Sequence, residues 1–395
     1  MLNSYIINQL KQYQTPFYFY DTDLLHKTLF AIKEAASLFS FKLHFAIKAN
    51  ANKNILSIIN DYNIGADCVS GNEIKRALNA GFPAHNIVFA GVGKTDEEIK
   101  FAIESDIFCI NCESLEELEV INSLAGLLNK KPRTALRINP NVDAETHRNI
   151  TTGLNSNKFG ISVDDLQYIV DHFLEYNNLL IDGLHFHIGS QITNLNVFKN
   201  LCYVVNAIQK KLKRKNILIN HLNLGGGLGI NYENPENRIP DFQAYFSIFH
   251  KYLNLLPEQT VHFEPGRSIV GQSGMLLTRI LYVKSHGSKK TIILDAGFTE
   301  LLRPALYQAN HKIINLTSQG NLENYDIAGP ICETSDYFGK SITLPQSKRG
   351  DLIAILSAGA YGESMASSYN LRSSVRKYFL NTLAEEQREK ILTKL

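Results

Sequence analysis

Between residues 22 and 266 the chain alternates short β-rich runs with amphipathic helical stretches, and this alternation restricts the possible folds more than any other feature. Alternating β and α elements indicate a parallel sheet in an α/β fold. Eight such units in this length suit a (β/α)8 barrel, although a doubly wound sheet has the same spacing. The predicted strands are KLHFAIK (42–48), GADCVS (65–70), IVFAG (87–91), IFCINC (107–112), TALRIN (134–139), GLHFHIG (183–189), HLNLGGG (221–227) and VHFEPG (261–266).

Beyond residue 266 the sequence changes to strand-like runs joined by short turns rich in Gly, Pro and Asn. This pattern indicates an all-β domain, and helical periodicity is scarce in it. The early run PFYFYD (16–21) precedes the first helix and is expected to join that sheet. We therefore predict an α/β protein with a TIM-type barrel over 22–266. A β-sandwich or barrel-like domain covers 267–395 and is joined by residues 1–21.

Charge and cysteine content argue against several classes of protein. The 40 basic and 38 acidic residues give a net charge of +2 without a basic block, so no nucleic-acid partner is expected. No apolar run is long enough for a membrane span, and the N-terminus lacks the apolar core of a signal peptide. Five cysteines, an odd number, predict reduced thiols and a cytoplasmic location. Cys109 and Cys112 have no second ligand pair, so we expect buried cysteines and no metal.

Lys48, His187 and Glu264 stand near the carboxyl ends of three predicted strands. Side chains alternate between the two faces of a strand, and in each case the polar set opposes an apolar set suited to covering helices. His44 shares the polar face with Lys48, and His185 shares it with His187. The polar set should therefore face the barrel interior, and barrel active sites lie at the carboxyl ends of the strands. A lysine there needs a partner or must become neutral, because a buried bare charge loses its hydration.

A glycine run follows the seventh predicted strand, and EPGR (264–267) closes the eighth. Barrel phosphate sites are often built from the loops after strands seven and eight, where bare backbone N–H groups can approach an anion. Gly225, Gly226 and Gly227 could equally form only a tight turn. A lysine, a histidine, a glutamate and a phosphate cradle at one barrel mouth together suit pyridoxal 5'-phosphate.

These residues lie in motifs that resemble the fold-type III, alanine-racemase-like pyridoxal-phosphate decarboxylases, and within them the diaminopimelate decarboxylases. The resemblance covers nearly the whole chain. The motifs, in order, are FAIKAN, DCVSGNEI, INPNVDAETHRNITTG…KFGI, GLHFHIGSQ, NLGGGLGI, EPGRSIV, GPICETSD and GAYGESMASSYN. The family implies a barrel with a C-terminal β domain, a pyridoxal 5'-phosphate cofactor and active sites formed at a homodimer interface.

The resemblance also implies roles for the barrel residues. Lys48 matches the lysine that forms a Schiff base with the cofactor, His187 the imidazole that stacks on its ring, and Glu264 the partner of the pyridine nitrogen. For His185 a satisfied core histidine is the preferred interpretation. Asp67 and Arg137 match supporting positions. The phosphate-binding set comprises Ser190, Gly225, Gly226, Gly227, Pro265, Gly266, Arg267 and Tyr361.

The substrate-binding roles come from the same resemblance. Cys332 matches the acid that reprotonates the substrate carbon, on a loop that enters the partner subunit's site. Glu333 is expected to bind the distal ammonium group of the substrate. The distal carboxylate is expected to bind Arg303, Tyr307 and Arg267, with Tyr361 also at the substrate, because arginine pairs bidentately with carboxylates.

The implied reaction is decarboxylation of meso-2,6-diaminopimelate to L-lysine and carbon dioxide, the last step of lysine biosynthesis. Carboxynorspermidine decarboxylase, or another basic amino-acid decarboxylase of the same fold, is the alternative. The segment VDAETHRNITTG…KFGI favours diaminopimelate. A non-catalytic regulatory homologue should have lost cofactor contacts or the cysteine, and Lys48, Glu264, the three glycines and Cys332 are all present.

Overall fold

The computed structural model describes residues 3–144, 158–236 and 238–381. The chain divides into two compact units. We call residues 29–229 and 240–266 the barrel unit, and residues 1–28, 230–239 and 267–395 the β unit. The sequence placed 22–28 and 230–239 in the barrel, whereas these segments pack with the β unit. The chain begins with α1 (Ser4–Leu10) and β1 (Phe17–Tyr20).

Eight parallel strands close into a barrel, which confirms the predicted α/β barrel and excludes the doubly wound sheet. Each strand pairs with the next, and the last pairs with the first. Every predicted run overlaps one strand; three strands begin one to three residues before their runs, and none extends past the end of its run. The strands are β2 (Lys42–Ala46), β3 (Gly65–Cys68), β4 (Ile87–Phe89), β5 (Cys109–Cys112), β6 (Arg133–Arg137), β7 (Leu180–His185), β8 (His221–Asn223) and β9 (Thr260–Phe263).

Helices alternate with these strands along the chain, as the periodicity predicts. Their apolar faces are buried; in α3, for example, Ile55, Leu56 and Ile59 recur at helical spacing and are fully covered. The helices are α2 (Thr22–Ser37), α3 (Lys53–Asp61), α4 (Gly71–Asn79), α5 (Asp96–Glu104), α6 (Leu115–Leu127), α7 (Val163–Asp171), α8 (Asn196–Arg214) and α9 (Phe242–Tyr252).

Capping boxes set where several of these helices begin, and they take two forms. At α5, Thr95 and Glu98 make the reciprocal pair of bonds. At α4, Ser70 accepts the N–H of Glu73 at 3.2 Å, but the Glu73 carboxylate accepts from Val69, one residue before the cap. The same variant occurs at α6. In both forms the carboxylate satisfies an N–H at the strand-to-helix turn and fixes the start of the helix.

A histidine network fills the barrel interior at the N-terminal ends of the strands. His44 Nδ1 lies 3.0 Å from the Asn86 carbonyl oxygen, and His44 Nε2 lies 2.9 Å from His262 Nδ1. Burial lowers the pKa of both His44 and His262, so both rings are neutral near pH 7. A cavity of about 730 Å³ opens beside this network, at the end of the barrel opposite Lys48.

The β unit contains an eight-stranded sheet in which six strands follow the order β12-β15-β10-β11-β13-β14, while β1 pairs with β10 and β16 pairs with β1. The early run forms β1 and pairs antiparallel with β10. β16, which the sequence analysis missed, pairs in parallel with β1. The elements are α10 (Arg267–Val270), β10 (Gly274–His286), β11 (Lys289–Leu294), α11 (Arg303–Tyr307), β12 (Ile313–Asn315), β13 (Leu322–Ala328), β14 (Tyr337–Pro345), β15 (Leu352–Ile355) and β16 (Arg376–Phe379).

Alternate residues of β1, β10 and β15 form a buried cluster with Leu10 of α1. The cluster comprises Leu10, Phe17, Phe19, Met275, Leu277, Leu352 and Ala354, each less than a tenth exposed. Among the described helices, none is both long and apolar enough to cross a membrane.

Candidate active site

Lys48 lies in a short 3-10 turn, Ile47–Ala49, immediately after β2 ends at Ala46. The prediction that the strand extends through Lys48 was wrong, because the chain turns at Ile47. Lys48 Nζ lies 3.6 Å from Asp67 Oδ2, and 39% of the Lys48 side chain is exposed. The amine is therefore held beside an acid at the mouth of the barrel while a ligand can still reach it.

Asp67 lies in β3 and is buried. Burial and the charge of Glu264 raise the pKa of Asp67 to about 8, although Lys48 opposes this rise. Neither carboxylate oxygen has a hydrogen-bond partner within the described part of the chain. Asp67 can therefore gain or lose a proton near neutral pH, directly beside the Lys48 amine.

Glu264 follows β9 and is held by three side chains of other strands. Asn223 Nδ2 donates to Oε1 at 2.6 Å, and Asn111 Nδ2 donates to the same oxygen at 3.3 Å. His185 Nε2 lies 3.0 Å from Oε2. Burial alone would raise the pKa of Glu264, but His185 and the charge of Lys48 outweigh it and lower that pKa below its ordinary value. Glu264 is thus a fixed carboxylate, and Oε2 can still accept another donor.

His185 was predicted to be a satisfied core histidine, and no motif marks Asn111 or Asn223 in the sequence. The structure shows that His185 is indeed buried and bonded, but its partner is the candidate catalytic carboxylate. Alternation along the strand could have identified Asn223 as an interior residue. Asn223 lies two residues after His221 on β8, and His221 also belongs to the interior histidine network.

His187 lies two residues beyond β7, where its Nδ1 accepts the N–H of Gly226 at 3.2 Å. Because Nδ1 accepts, the proton of the neutral ring is on Nε2. Burial, followed by the charges of Lys48 and Arg137, lowers the pKa of His187 well below its ordinary value. The structure therefore presents a neutral imidazole of fixed orientation, as a ring that stacks on an aromatic cofactor requires.

The glycine run after β8 passes close to two other loops. Gly225 and Gly227 have φ of +66° and +107°, which favour glycine. A Cβ at Gly226 would collide with the carbonyl oxygen of Glu264, and one at Gly227 would lie 2.7 Å from the carbonyl oxygen of Gly189. Side chains are therefore excluded, and backbone groups line this part of the barrel mouth.

The loop after β9 continues this backbone-lined region. The Pro265 carbonyl oxygen accepts the N–H of Ala46 at 3.1 Å, which joins this loop to the end of β2. A Cβ at Gly266 would lie 3.1 Å from the Cβ atoms of both Ala46 and Ala49. Ser190 lies half-buried in the loop after β7. These segments are at the same strand ends as Lys48.

Arg137, at the end of β6, makes a buried ion pair with Glu113. Arg137 Nη1 lies 2.5 Å from Glu113 Oε1, and Glu113 Oε2 accepts the N–H of Gly160 at 3.1 Å. The Arg137 guanidinium also lies over the Phe159 ring at 4.8 Å. The pair fixes a cation at the carboxyl ends of the strands, where it helps to keep His187 neutral.

The β unit holds two buried arginines around one tyrosine ring. Arg267 Nη1 donates to Tyr232 Oη at 2.7 Å, and the Arg303 guanidinium lies 4.7 Å from the centre of the same ring. The Arg267 guanidinium also lies 4.8 Å from the Tyr361 ring. Tyr307 ends the helix that begins with Arg303. Tyr232 was not predicted, because no motif marks it in the sequence.

Cys332 and Glu333 lie on an exposed loop of the β unit. The Cys332 N–H donates to Asn370 Oδ1 at 3.1 Å, and Tyr369 Oη donates to Glu333 Oε1 at 2.9 Å. Asp336 Oδ2 accepts the N–H of Ile331 at 2.8 Å and orders the loop just before the cysteine. Cys332 is exposed, whereas the other four cysteines are buried, as predicted for Cys109 and Cys112.

The residues at the barrel mouth fit pyridoxal 5'-phosphate. A reachable amine, a fixed carboxylate and a neutral imidazole lie at the same strand ends, and the bare backbone around Gly225 to Gly227 leaves room for an anion. Within the described ranges, no group of three or more His, Cys, Asp or Glu residues is placed to hold a metal ion. The motif residues 145–157 lie outside the described residues.

The family model described as "Pyridoxal-dependent decarboxylase, pyridoxal binding domain" matches residues 25–271. Among curated proteins, the diaminopimelate decarboxylase of Bacteroides thetaiotaomicron is 55% identical over 374 residues, which are 94% of this chain and 97% of that protein. The diaminopimelate decarboxylase of Campylobacter jejuni is 40% identical over 93% of this chain and 91% of its own.

Solved structures show the same similarity. The crystal structure of diaminopimelate decarboxylase from Helicobacter pylori complexed with L-lysine is 40% identical, with a TM-score of 0.88 over 94% of this chain and 93% of that one. A lysine/ornithine decarboxylase from Vibrio vulnificus, complexed with cadaverine, has a TM-score of 0.84 over 96% of this chain and all of that one, but is only 22% identical. The second likeness shows a shared fold alone.

Proposed function

This chain belongs to the pyridoxal-dependent decarboxylase family, and we infer that it converts meso-2,6-diaminopimelate to L-lysine and carbon dioxide with pyridoxal 5'-phosphate as cofactor. It is therefore a carboxy-lyase of lysine biosynthesis. The observation that carries this inference is the 55% identity to a diaminopimelate decarboxylase over nearly both chains. The barrel-mouth geometry supports the same chemistry.

The cofactor, when bound, supplies an electron-poor ring that accepts the electron pair left by the departing carboxyl group. We propose that Lys48 holds it through Nζ and that Asp67 takes and returns the proton that this amine exchanges. Glu264 faces the pyridine nitrogen, where its three donors keep it anionic. His187 stacks on the ring as a neutral imidazole.

The phosphate group is proposed to bind at the backbone-lined region of Gly225, Gly226 and Gly227. Ser190, Gly266, Arg267 and Tyr361 complete this site, with Pro265 holding the loop. Backbone N–H groups and a guanidinium are the donors that phosphate prefers.

Substrate choice is proposed to depend on the β unit. Arg303 is buried, and its hydrogen-bond partner His311 is a neutral acceptor rather than an acid. A buried cation without an anionic partner is costly, and a substrate carboxylate would relieve that cost. Arg303, with Arg267 and Tyr307, is therefore proposed to bind the distal carboxylate of diaminopimelate, and Glu333 the distal ammonium group.

Cys332 is proposed to return a proton to the substrate carbon in the partner subunit's site of a homodimer. Its exposure fits a role outside its own fold. Exposed apolar residues also stand on either side of Asn370, which accepts the Cys332 N–H: Tyr369 is 47% and Leu371 97% exposed. Subunits lacking Lys48 and subunits lacking Cys332 should then complement one another. Refolding Lys48→Ala with Cys332→Ala subunits should restore up to about a quarter of wild-type activity, and strict inactivity of the mixture would contradict shared sites.

The decisive experiment is an assay of carbon dioxide release from meso-diaminopimelate by the purified protein with added pyridoxal phosphate, with carboxynorspermidine and L-ornithine in parallel. Only diaminopimelate should support turnover, and Lys48→Ala should abolish both turnover and the visible absorbance of bound cofactor. Turnover of carboxynorspermidine instead would favour the rival decarboxylase. The free cysteines accord with a reducing cytoplasm, which we include in this proposal.

A further inference from the structure

Arg303 is hydrogen-bonded to the buried side chain of His311, which is not one of the proposed substrate-binding residues. Arg303 is the first residue of α11 and is only 3% exposed. Its Nη1 donates a hydrogen bond to His311 Nε2 at 2.8 Å. Any function of this contact in substrate choice rests on the proposed role of Arg303 in binding a substrate carboxylate.

The tautomer of His311 is fixed by its second partner. His311 Nδ1 lies 2.8 Å from the carbonyl oxygen of Leu356. A carbonyl oxygen can only accept, so Nδ1 carries the proton and Nε2 has a free lone pair for Arg303. Burial and the charge of Arg303 lower the pKa of His311 to about 3, so the ring remains a neutral acceptor at any pH at which a cytoplasmic enzyme works.

Tyr232 also contacts the Arg303 guanidinium. The ring of Tyr232 lies under Arg303 at 4.7 Å and edge-on to His311 at 5.0 Å, while its hydroxyl accepts from Arg267. Two buried like charges therefore contact the same ring. Burial lowers the pKa of Arg303, and Arg267 lowers it further, so an anion at this place would relieve both effects.

The bond to His311 occupies Nη1 and leaves the other edge of Arg303, formed by Nε–H and Nη2. Nε is buried and has no hydrogen-bond partner among the residues that the structure describes. Nε and Nη2 form the side-on edge that a carboxylate grips with two parallel hydrogen bonds. We propose that His311 is a positioning residue that turns this edge of Arg303 toward the distal carboxylate, and so sets the preference for substrates that carry one.

Two single substitutions each remove one of the two hydrogen bonds of His311 and keep the other. In His311→Gln the amide oxygen can reach the position of Nε2, so the acceptor for Arg303 is kept and the donor to Leu356 is lost. In His311→Asn the amide nitrogen replaces Nδ1, so the donor to Leu356 is kept and the acceptor is lost. A purely structural role predicts similar damage from both variants.

A positioning role predicts that His311→Asn is damaged more than His311→Gln. His311→Asn loses a hydrogen bond to a charged group, so its KM for meso-diaminopimelate should rise at least about tenfold. Its kcat should change less than about threefold. The Kd of L-lysine, which keeps the distal carboxylate, should rise in parallel. The Kd of cadaverine, which has no carboxylate, should stay constant. His311→Gln should remain within about threefold of wild type in all four quantities.

Calorimetric titration of the cofactor-loaded wild-type and variant proteins gives both dissociation constants without turnover. Equal effects of Asn and Gln, or equal weakening of L-lysine and cadaverine, would overturn the positioning role. Failure of the proposed function looks different, because the wild-type protein itself would then release no carbon dioxide from meso-diaminopimelate. If wild type turns over normally and His311→Asn keeps its KM and its Kd for L-lysine, only the role of His311 is refuted.

Discussion

Replacing Asn223 by Asp would place a second carboxyl group against Glu264 with almost no change in shape. Asn223 Nδ2 donates to Glu264 Oε1 at 2.6 Å, and Asn223 Oδ1 accepts the N–H of Gly225 at 3.0 Å. Aspartate keeps the acceptor for Gly225, so the glycine run should be undisturbed. The change therefore acts almost only on Glu264, the carboxylate proposed to face the pyridine nitrogen.

The magnitude is set by the distance between the two groups. Two carboxylate charges centred about 4 Å apart repel by about 4 kcal/mol at an effective dielectric constant of 20, which is about a thousandfold in proton affinity. The pair should therefore share one proton near neutral pH, as adjacent carboxyl groups do. The shared proton would replace the Asn223 amide as the donor to Glu264 and would remove part of the negative charge of Glu264. Weakening the charge-assisted hydrogen bond that Glu264 is proposed to make with the pyridine nitrogen costs about 1.5 to 3 kcal/mol.

We expect kcat/KM for meso-diaminopimelate to fall about 10- to 100-fold in Asn223→Asp, with weaker binding of pyridoxal phosphate and a pH profile displaced from that of wild type. The assays are carbon dioxide release across pH 6 to 9 and fluorescence titration with the cofactor. Asn324→Asp is the matched control, because Asn324 is an exposed acceptor for Thr343 Oγ1 and aspartate keeps that role. Wild-type kcat/KM and pH profile in Asn223→Asp would refute the role given to Glu264.

Two further predictions concern other parts of the molecule. Cys332→Ala should lower kcat about 100-fold or more while cofactor binding stays normal, because the variant removes only the proposed proton donor; stopped-flow turnover and cofactor titration measure the two quantities, and an unchanged kcat would remove that role. Acid should destabilise the barrel, because the folded-state pKa values of His44 and His262 are lowered and only the unfolded chain takes up their protons below about pH 6.5. Each ring can lower the free energy of unfolding by up to about 1.4 kcal/mol for each pH unit of acidification. The urea midpoint should therefore drop between pH 7 and 5, and it should drop less in His262→Gln. A midpoint that does not change with pH would contradict this account.

Much of the fold could be predicted from local patterns. Alternation of β-rich and helical runs predicted all eight barrel strands, and alternation along the strands placed His44 and His185 on the interior face, where the structure shows them buried and bonded. Local patterns suffice there because a closed parallel barrel needs the same two-faced strand eight times. Strand ends were less predictable. Apolar residues such as Ile47 suit a short turn as well as a strand, so Lys48 proved to lie beyond β2.

The sequence by itself determined the class of fold, the cofactor and the candidate residues, because motif residues carry their chemistry wherever they are placed. Tertiary structure alone decided which groups hold them. Asn111, His185 and Asn223 converge on Glu264 from three strands, and Tyr232 and His311 meet at Arg303 from separate segments of the β unit. Such partners leave no mark in local periodicity, since a hydrogen bond depends on position in space and angle rather than on spacing along the chain.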